Sequence, residues 1–207
     1  GLYGSTIAHC IATKLNQRVL MIEKRHHIGG NCYSTIDQET GIEYHKYGPH
    51  IFHTSNETVW NFINKFTSFN NYRHKVITKY QDKHYSMPIN LSTINSFFQK
   101  KFTPDEAKQY TKSEIKQANI SSPKNLEEKA ISLIGQSLYE AFIKGYTIKQ
   151  WDTDPKQLPA SIINRLPVRF NYNNDYFNDT YQGIPENGYT AIFEKMLDHP
   201  NININLE

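Results

Sequence analysis

Gly1-Leu2-Tyr3-Gly4-Ser5-Thr6-Ile7-Ala8-His9-Cys10-Ile11-Ala12 opens the chain, and Val19-Leu20-Met21-Ile22 and Glu23-Lys24-Arg25 follow it. The first run reads as a turn leading into an amphipathic helix, the second as an apolar strand, the third as its acidic end. Turn, helix, strand, acid is the order of a dinucleotide-binding βαβ unit after its first strand, with Gly1 and Gly4 as the last two glycines of G-x-G-x-x-G. Glu23 falls about 20 residues past the glycines, the spacing that sets a carboxylate on a ribose hydroxyl. In that reading Gly1 lets the backbone approach a pyrophosphate and Gly4 lets the helix pack closely on the sheet. The helix N-terminus adds free N–H groups and a positive dipole end. Two glycines before a helix are equally the mark of a plain tight turn; the acid at its distance favours the nucleotide. Because the chain opens inside the motif, a first strand carrying the first glycine is expected to precede it.

His27-Ile28-Gly29-Gly30-Asn31 lies just beyond the acid. A second glycine pair there gives another close backbone approach to a pyrophosphate, as in FAD proteins of the two-dinucleotide type. A nicotinamide dehydrogenase runs on into its next helix instead. The alternative is a loop that merely needs positive φ. The combination favours FAD.

With 207 residues the chain can bury a substantial core in one large or two small domains. Its charge is +3 with neutral histidines, which makes no electrostatic case for nucleic acid. Cys10 and Cys32 form neither a disulfide framework nor a C-x-x-C pair, and a reducing, cytoplasmic setting is expected. No apolar run reaches the roughly 18 residues of a membrane span. His45, His50 and His53 invite a metal assignment, but no acidic or Cys partner stands at ligand spacing, so none is expected.

Further along, Ile42 to His53 reads as extended chain turning at Gly48-Pro49. Thr54 to Glu57 offers N-caps for a helix over 57–66 with Val59, Ile63 and Phe66 on one stripe. Val76–Tyr80 and Lys83–Met87 read as a hairpin around Gln81-Asp82. Helices are expected from near Leu91, after Thr103-Pro104-Asp105-Glu106, after Asn125 up to Gly135, and over 136–146 with Leu138, Phe142 and Tyr146 on one face. Glu127-Glu128-Lys129 reads as a solvated helix face. The stretch 159–185 reads as irregular and strand-like, 188–198 as a helix and 202–206 as a strand. The fold class is therefore α/β: an FAD-binding Rossmann-like domain with an inserted helical bundle and part of an antiparallel β-sheet. The expected divisions are a cofactor domain over 1–72, a sheet-domain hairpin over 73–90, the bundle over 91–150, sheet domain and substrate loop over 151–185, and a return to the cofactor domain over 186–207.

IEKRHHIGGN (22–31), HKYGPHIFHTSNETVW (45–60), YSMPIN (85–90), EEKAISLIGQSLYEAFIKGYTIKQW (127–151), LPASIINRLPVRFNYNNDYF (158–177) and QGIPENGYT (182–190) together resemble bacterial UDP-galactopyranose mutases, in order and over most of the chain. The resemblance implies a flavoenzyme that interconverts UDP-galactopyranose and UDP-galactofuranose, active with reduced FAD and a homodimer when full length. Ring contraction moves no net electrons. A reduced flavin can still serve it, through an N5 adduct at sugar C1. By resemblance, Gly1, Leu2, Gly4, Glu23, Lys24, Gly30 and Asn31 contact FAD, and Gly48, His50, Phe52 and His53 pass the flavin ring, the two histidines as catalytic candidates. His74, Phe142, Tyr146, Thr147, Trp151, Arg165 and Tyr176 are the implied substrate residues, Tyr146 stacking on uridine. Arg165 is the implied catalytic arginine, on the diphosphate near the flavin. The family's second phosphate-binding arginine and its last FAD-contacting segment are expected beyond Glu207.

Alternative roles stand beside these. Phe142 and Tyr146 at helical spacing suit bundle core, Trp151 could cap an apolar patch, and one of Arg165 and Arg169 could be a structural ion pair. An FAD-dependent amine or porphyrinogen-type oxidoreductase would share Gly1 to Asn31, and a nucleotide-sugar-binding fragment without flavin chemistry would share the aromatic residues.

Overall fold

A computed structural model describes residues 1–163 and 168–207. The chain forms two compact units, Gly1–Arg73 with Phe177–Glu207, and His74–Tyr176.

In the first unit, helix α1 (Leu2–Lys14) leads into strand β1 (Val19–Glu23). Ser5, Ala8 and Ala12 are the buried residues of α1, a stripe of small side chains at helical spacing. That stripe lets α1 lie close on helix α8 (Gly188–Leu197), strand β1 and strand β8 (Ile202–Leu206). Strands β1 and β8 pair in parallel, Val19 opposite Ile202 and Glu23 opposite Leu206. Between them α1 and α8 bury Ile192, Phe193 and Met196 in a core shared with Ile63, Phe66 and Tyr189. The opposite face of β1 is uncovered among the described residues: Leu20 is 65% and Ile22 77% exposed.

Two short strand pairs and a helix complete the unit. Strands β2 (Ser34–Ile36) and β3 (Glu43–His45) pair antiparallel, as do β4 (Phe52–Thr54) and β7 (Tyr181–Gly183). Helix α2 (Glu57–Ile63) starts on the Asn56 side chain, which accepts from the Val59 N–H. It stops three residues short of the expected end, and Val59 is exposed while Ile63 and Phe66 are buried. Val59 and Ile63, four residues apart, share a face and line one groove, and Phe66 lies past the helix end.

The second unit begins with the expected hairpin, β5 (Val76–Tyr80) and β6 (Lys83–Met87). Gln81 and Asp82 both have positive φ, the requirement of a two-residue type I′ turn. Helix α3 (Leu91–Phe98) is capped by Asn90, α4 (Pro104–Ala118) by a Thr103–Glu106 capping box, and α5 (Leu126–Ile134) by Asn125. Helix α6 (Gln136–Tyr139) runs through a π-helical turn at Glu140–Lys144 into α7 (Gly145–Trp151). Leu91, Ile94, Ile131, Ile134, Leu138 and Phe142 meet in one core with Tyr85 of the hairpin.

The segment after Pro159 opens with a 3₁₀ turn at Ala160–Ile163, runs irregularly among the described residues, and ends in strand β7. One expectation is corrected here. Glu127 is not on a solvated face. Its carboxylate accepts from the buried Tyr139 hydroxyl at 2.8 Å and lies 3.7 Å from the Lys156 ammonium. Burial, followed by that carboxylate, pushes the Tyr139 hydroxyl far above the ordinary tyrosine range.

Candidate functional site

The candidate residues for the cofactor all fall in the first unit. Gly1 is the N-cap of α1 and the Gly29-Gly30 pair lies against it. A Cβ built on Gly30 would stand 3.0 Å from the Gly1 Cα and 3.1 Å from its nitrogen, and Gly30 has φ +57°. The two glycine motifs, separate in sequence, therefore form one bare backbone cradle at the start of a 13-residue helix. Gly29 is also fixed, at φ +93° with its Cβ position 2.9 Å from the Phe193 ring. Such a cradle fits an anionic pyrophosphate, since it offers close backbone approach and the positive end of a helix.

Glu23 ends β1 beside this cradle's chain segment, its Oε1 accepting from the Arg25 N–H at 3.2 Å. The Arg25 guanidinium donates to Asn31 Oδ1 at 2.8 Å and lies 4.2 Å from the centre of the Tyr47 ring. His27 stacks on Tyr33 at 3.8 Å and is 2.7 Å from the Tyr47 hydroxyl. Glu23 and Asn31 are thus tied through Arg25, whereas Lys24 is exposed. Leu2 and Phe52 line one open apolar groove of about 330 Å³ along α1.

Gly4 faces open space in this chain. Nothing lies within 4 Å of its Cβ position, and the residue is exposed. The close packing belongs to Ser5, Ala8 and Ala12, on the other side of the helix.

The 48–53 loop is pinned at both ends. Gly48 takes φ +104°, with open space around its Cβ position. The His50 N–H donates to His45 Nδ1 at 3.0 Å, and both rings meet Tyr189 edge-on. Burial, then the neighbouring His50, lowers the His45 pKa against the opposing effect of Glu43. His53 stacks face to face on Phe177 at 3.7 Å, and its Nδ1 is 2.6 Å from Asp179 Oδ2. Asp179 Oδ1 accepts from the Ser55 hydroxyl at 2.8 Å. The bonds from His53 and then Ser55 hold the Asp179 carboxyl below its ordinary range. Asp179 was missed in the sequence because it stands 126 residues from His53 in no motif.

In the second unit the structure brings His74 and Tyr176 together. Their rings meet edge-on at 5.3 Å, and the Tyr176 N–H donates to the His74 carbonyl at 2.8 Å. Phe142 and Tyr146 do not share a face. Phe142 is 6% exposed and packs edge-on against Tyr85 and Phe97, while Tyr146 is 68% exposed. The π-helical turn between them explains the difference. It adds a residue to one turn, so the i, i+4, i+8 stripe set by Leu138 and Phe142 rotates away before Tyr146. Thr147 is buried and Trp151 is half-exposed at the end of α7.

Arg165 lies outside the described residues. Arg169 is described, and among the described residues its partners are backbone carbonyls rather than an ion pair: Asn173 at 3.3 Å, Tyr176 at 3.2 Å and Asp175. It ties down the loop that carries Tyr176. Among the described residues, no group of three or more His, Cys, Asp or Glu side chains could hold a metal ion, and no helix is long and apolar enough to cross a membrane.

Known proteins give this geometry its context. Residues 1–66 match the family model of an NAD(P)-binding Rossmann-like domain, and residues 141–207 match that of UDP-galactopyranose mutase. Over 207 residues the chain is 49% identical to a Klebsiella pneumoniae protein named "Probable UDP-galactopyranose mutase". It is 47% identical over 206 residues to dTDP-fucopyranose mutase of Escherichia coli. Over 216 aligned residues it is 37% identical to UDP-galactopyranose mutase of Mycoplasma genitalium. A crystal structure of reduced UDP-galactopyranose mutase shares the fold, with a TM-score of 0.73 over 99% of this chain and 47% of that one, at 16% identity. The matches cover the whole of this chain but 53%, 54% and 52% of the three relatives, so the chain spans about half the length of the curated relatives it matches. It is α/β in class, opens with a Rossmann-like dinucleotide-binding domain, and is similar along its whole length to about half of each of these mutases.

Proposed function

We propose that this chain carries cofactor- and substrate-binding residues of a flavin-dependent isomerase that interconverts UDP-galactopyranose and UDP-galactofuranose. The observation that supports it most is the Gly1–Gly30 cradle at the start of α1, followed by Glu23 at the end of β1, in a chain 49% identical to a probable mutase. In this reading Gly1 and Gly30 admit the FAD pyrophosphate to the backbone, and Glu23 accepts from the ribose hydroxyls. Asn31 and Arg25 border the same nucleotide, and Gly48, His50, Phe52 and His53 border the ring. FAD in its reduced form supplies a nitrogen nucleophile toward the anomeric carbon, which explains how an isomerase with no net redox change can use a redox cofactor.

The remaining work falls to side chains. Arg165 binds the diphosphate and holds it as the leaving group of the first step and the nucleophile of the last. A guanidinium suits this because it meets two phosphate oxygens at once. Tyr146, exposed on α7, offers a ring for the base, and His74, Tyr176 and Trp151 supply polar and stacking contacts to the nucleotide sugar. Phe142 acts from the core, holding α6 and α7 in place. The native gene product that carries this chain is read as a homodimer acting in the cytoplasm.

A second reading has its own support: the dTDP-fucopyranose mutase is within two percentage points of identity of the galactose relative. One assay separates them. The native product, reduced with dithionite, is given UDP-galactofuranose or dTDP-fucofuranose, and the pyranose formed is measured by chromatography. Turnover of the UDP sugar by reduced enzyme alone is the expected result. Preference for the dTDP sugar would replace the substrate, and equal turnover by oxidised enzyme would remove the reduced-flavin requirement.

A further inference from the structure

We propose that Asp179 is a positioning residue that sets the tautomer of His53, holding the proton on Nδ1 and leaving Nε2 as the ring's proton-accepting nitrogen. The inference rests on the reading of His53 as a residue of the flavin-facing loop.

The geometry is specific. Asp179 Oδ2 lies 2.6 Å from His53 Nδ1, the length of a charge-assisted hydrogen bond. Asp179 does not swing freely, because Ser55 donates to its other oxygen at 2.8 Å, and Ser55 in turn accepts from the Thr180 N–H at 3.2 Å. Phe177 lies parallel to the imidazole, with 13° between the planes, which fixes the ring's tilt. The scaffold is β4 paired with β7: His53 sits on β4 opposite Gln182, and Asp179 stands just before β7. Position, plane and proton are thus each held by a different neighbour.

The pair is partly exposed, 39% for His53 and 31% for Asp179, so its contribution to stability is small. Tautomer choice needs much less. The two neutral forms of an imidazole lie close in energy, and a single ionised acceptor at Nδ1 decides between them. Because Asp179 already holds the Nδ1 proton, a proton can be taken at Nε2 without either group moving. The proton then leaves by the same nitrogen, and Nδ1 keeps its own throughout.

The test reads the ring nitrogens directly. Long-range ¹H–¹⁵N spectra of this chain, at alkaline pH where the imidazole is neutral, should show His53 as the Nδ1–H tautomer. Asp179→Ala should lose that pattern, while Ser55→Ala, which spares the His53 bond, should keep it. An Nε2–H tautomer in the unmodified chain, or no change in Asp179→Ala, overturns the proposal. In the native gene product, Asp179→Ala should lower kcat roughly tenfold or more with KM little changed and flavin retained. Unchanged kcat with an altered tautomer would also overturn the positioning role. An unmodified protein with neither flavin nor turnover would defeat the functional reading instead, and leaves the tautomer measurement standing.

Discussion

Gly30 meets Gly1 backbone to backbone: a Cβ on Gly30 would lie 3.0 Å from the Gly1 Cα. No side chain fits between them, and Gly30 also has φ +57°. Gly30→Ala should therefore destabilise the chain by about 1–3 kcal/mol through left-handed strain alone. In the native product it should also deplete bound flavin, since the clash lies where the pyrophosphate is proposed to sit. Urea unfolding and flavin absorbance measure the two effects; full flavin occupancy in the variant would move the nucleotide elsewhere.

Gly4 should behave in the opposite way. It sits within α1 with open space at its Cβ position. Gly4→Ala gains helix propensity and should raise stability by about 0.5–1 kcal/mol in urea melts of this chain. A loss of stability would restore the close-packing role expected from the motif.

Phe142 and Tyr146 should separate stability from binding. Phe142→Ala opens a cavity among Tyr85, Phe97 and Leu138 and should cost about 3–5 kcal/mol. Tyr146→Ala removes an exposed ring and should leave the melting temperature nearly unchanged while weakening UDP binding by calorimetry. Matching losses of stability in both variants would contradict the rotation by the π-helical turn.

Arg169 and Arg165 should divide in the same sense. Arg169→Ala frees the carbonyls of Asn173, Asp175 and Tyr176 and should cost about 1–3 kcal/mol, with faster proteolysis of that loop. Arg169→Lys should restore little of it, because one ammonium cannot span the positions that a guanidinium fork reaches. Arg165→Ala in the native product should cut turnover by orders of magnitude with flavin still bound. The reverse pattern in folded, yellow protein would exchange the two assignments.

Acid stability should depend on Asp179. Its folded pKa lies below the ordinary 3.8, so its contribution is full above that value and is lost as pH falls through the lowered one. Asp179→Asn should lower stability slightly at neutral pH, where the contribution of the partly exposed pair is full, and flatten the fall below about pH 4. An acid limb identical to that of the unmodified chain would show that the His53 and Ser55 bonds persist in the unfolded ensemble or contribute nothing.

Local chemistry made much of this protein legible from its sequence. Asn56, Thr103 and Asn125 cap helices as read, because a cap is decided within four residues. The same holds for the Gln81-Asp82 turn, and for β1 and the helix before it. Other features depended on residues far apart in the chain. The cradle needs Gly1 against Gly30, the ring of His53 needs Asp179, and α8 closes on β2 through paired bonds between Ser34 and Thr190. Periodicity fails at the π-helical turn that exposes Tyr146, and Glu127, on a regular helix, turns inward to a partner 12 residues away, Tyr139. Sequence determined the elements and their signals because backbone sterics and capping act over a few residues. Only the tertiary structure decided which glycine packs, which aromatic is core and which carboxylate meets which histidine, because burial and hydrogen-bond partners are set by chain contacts that no local pattern encodes.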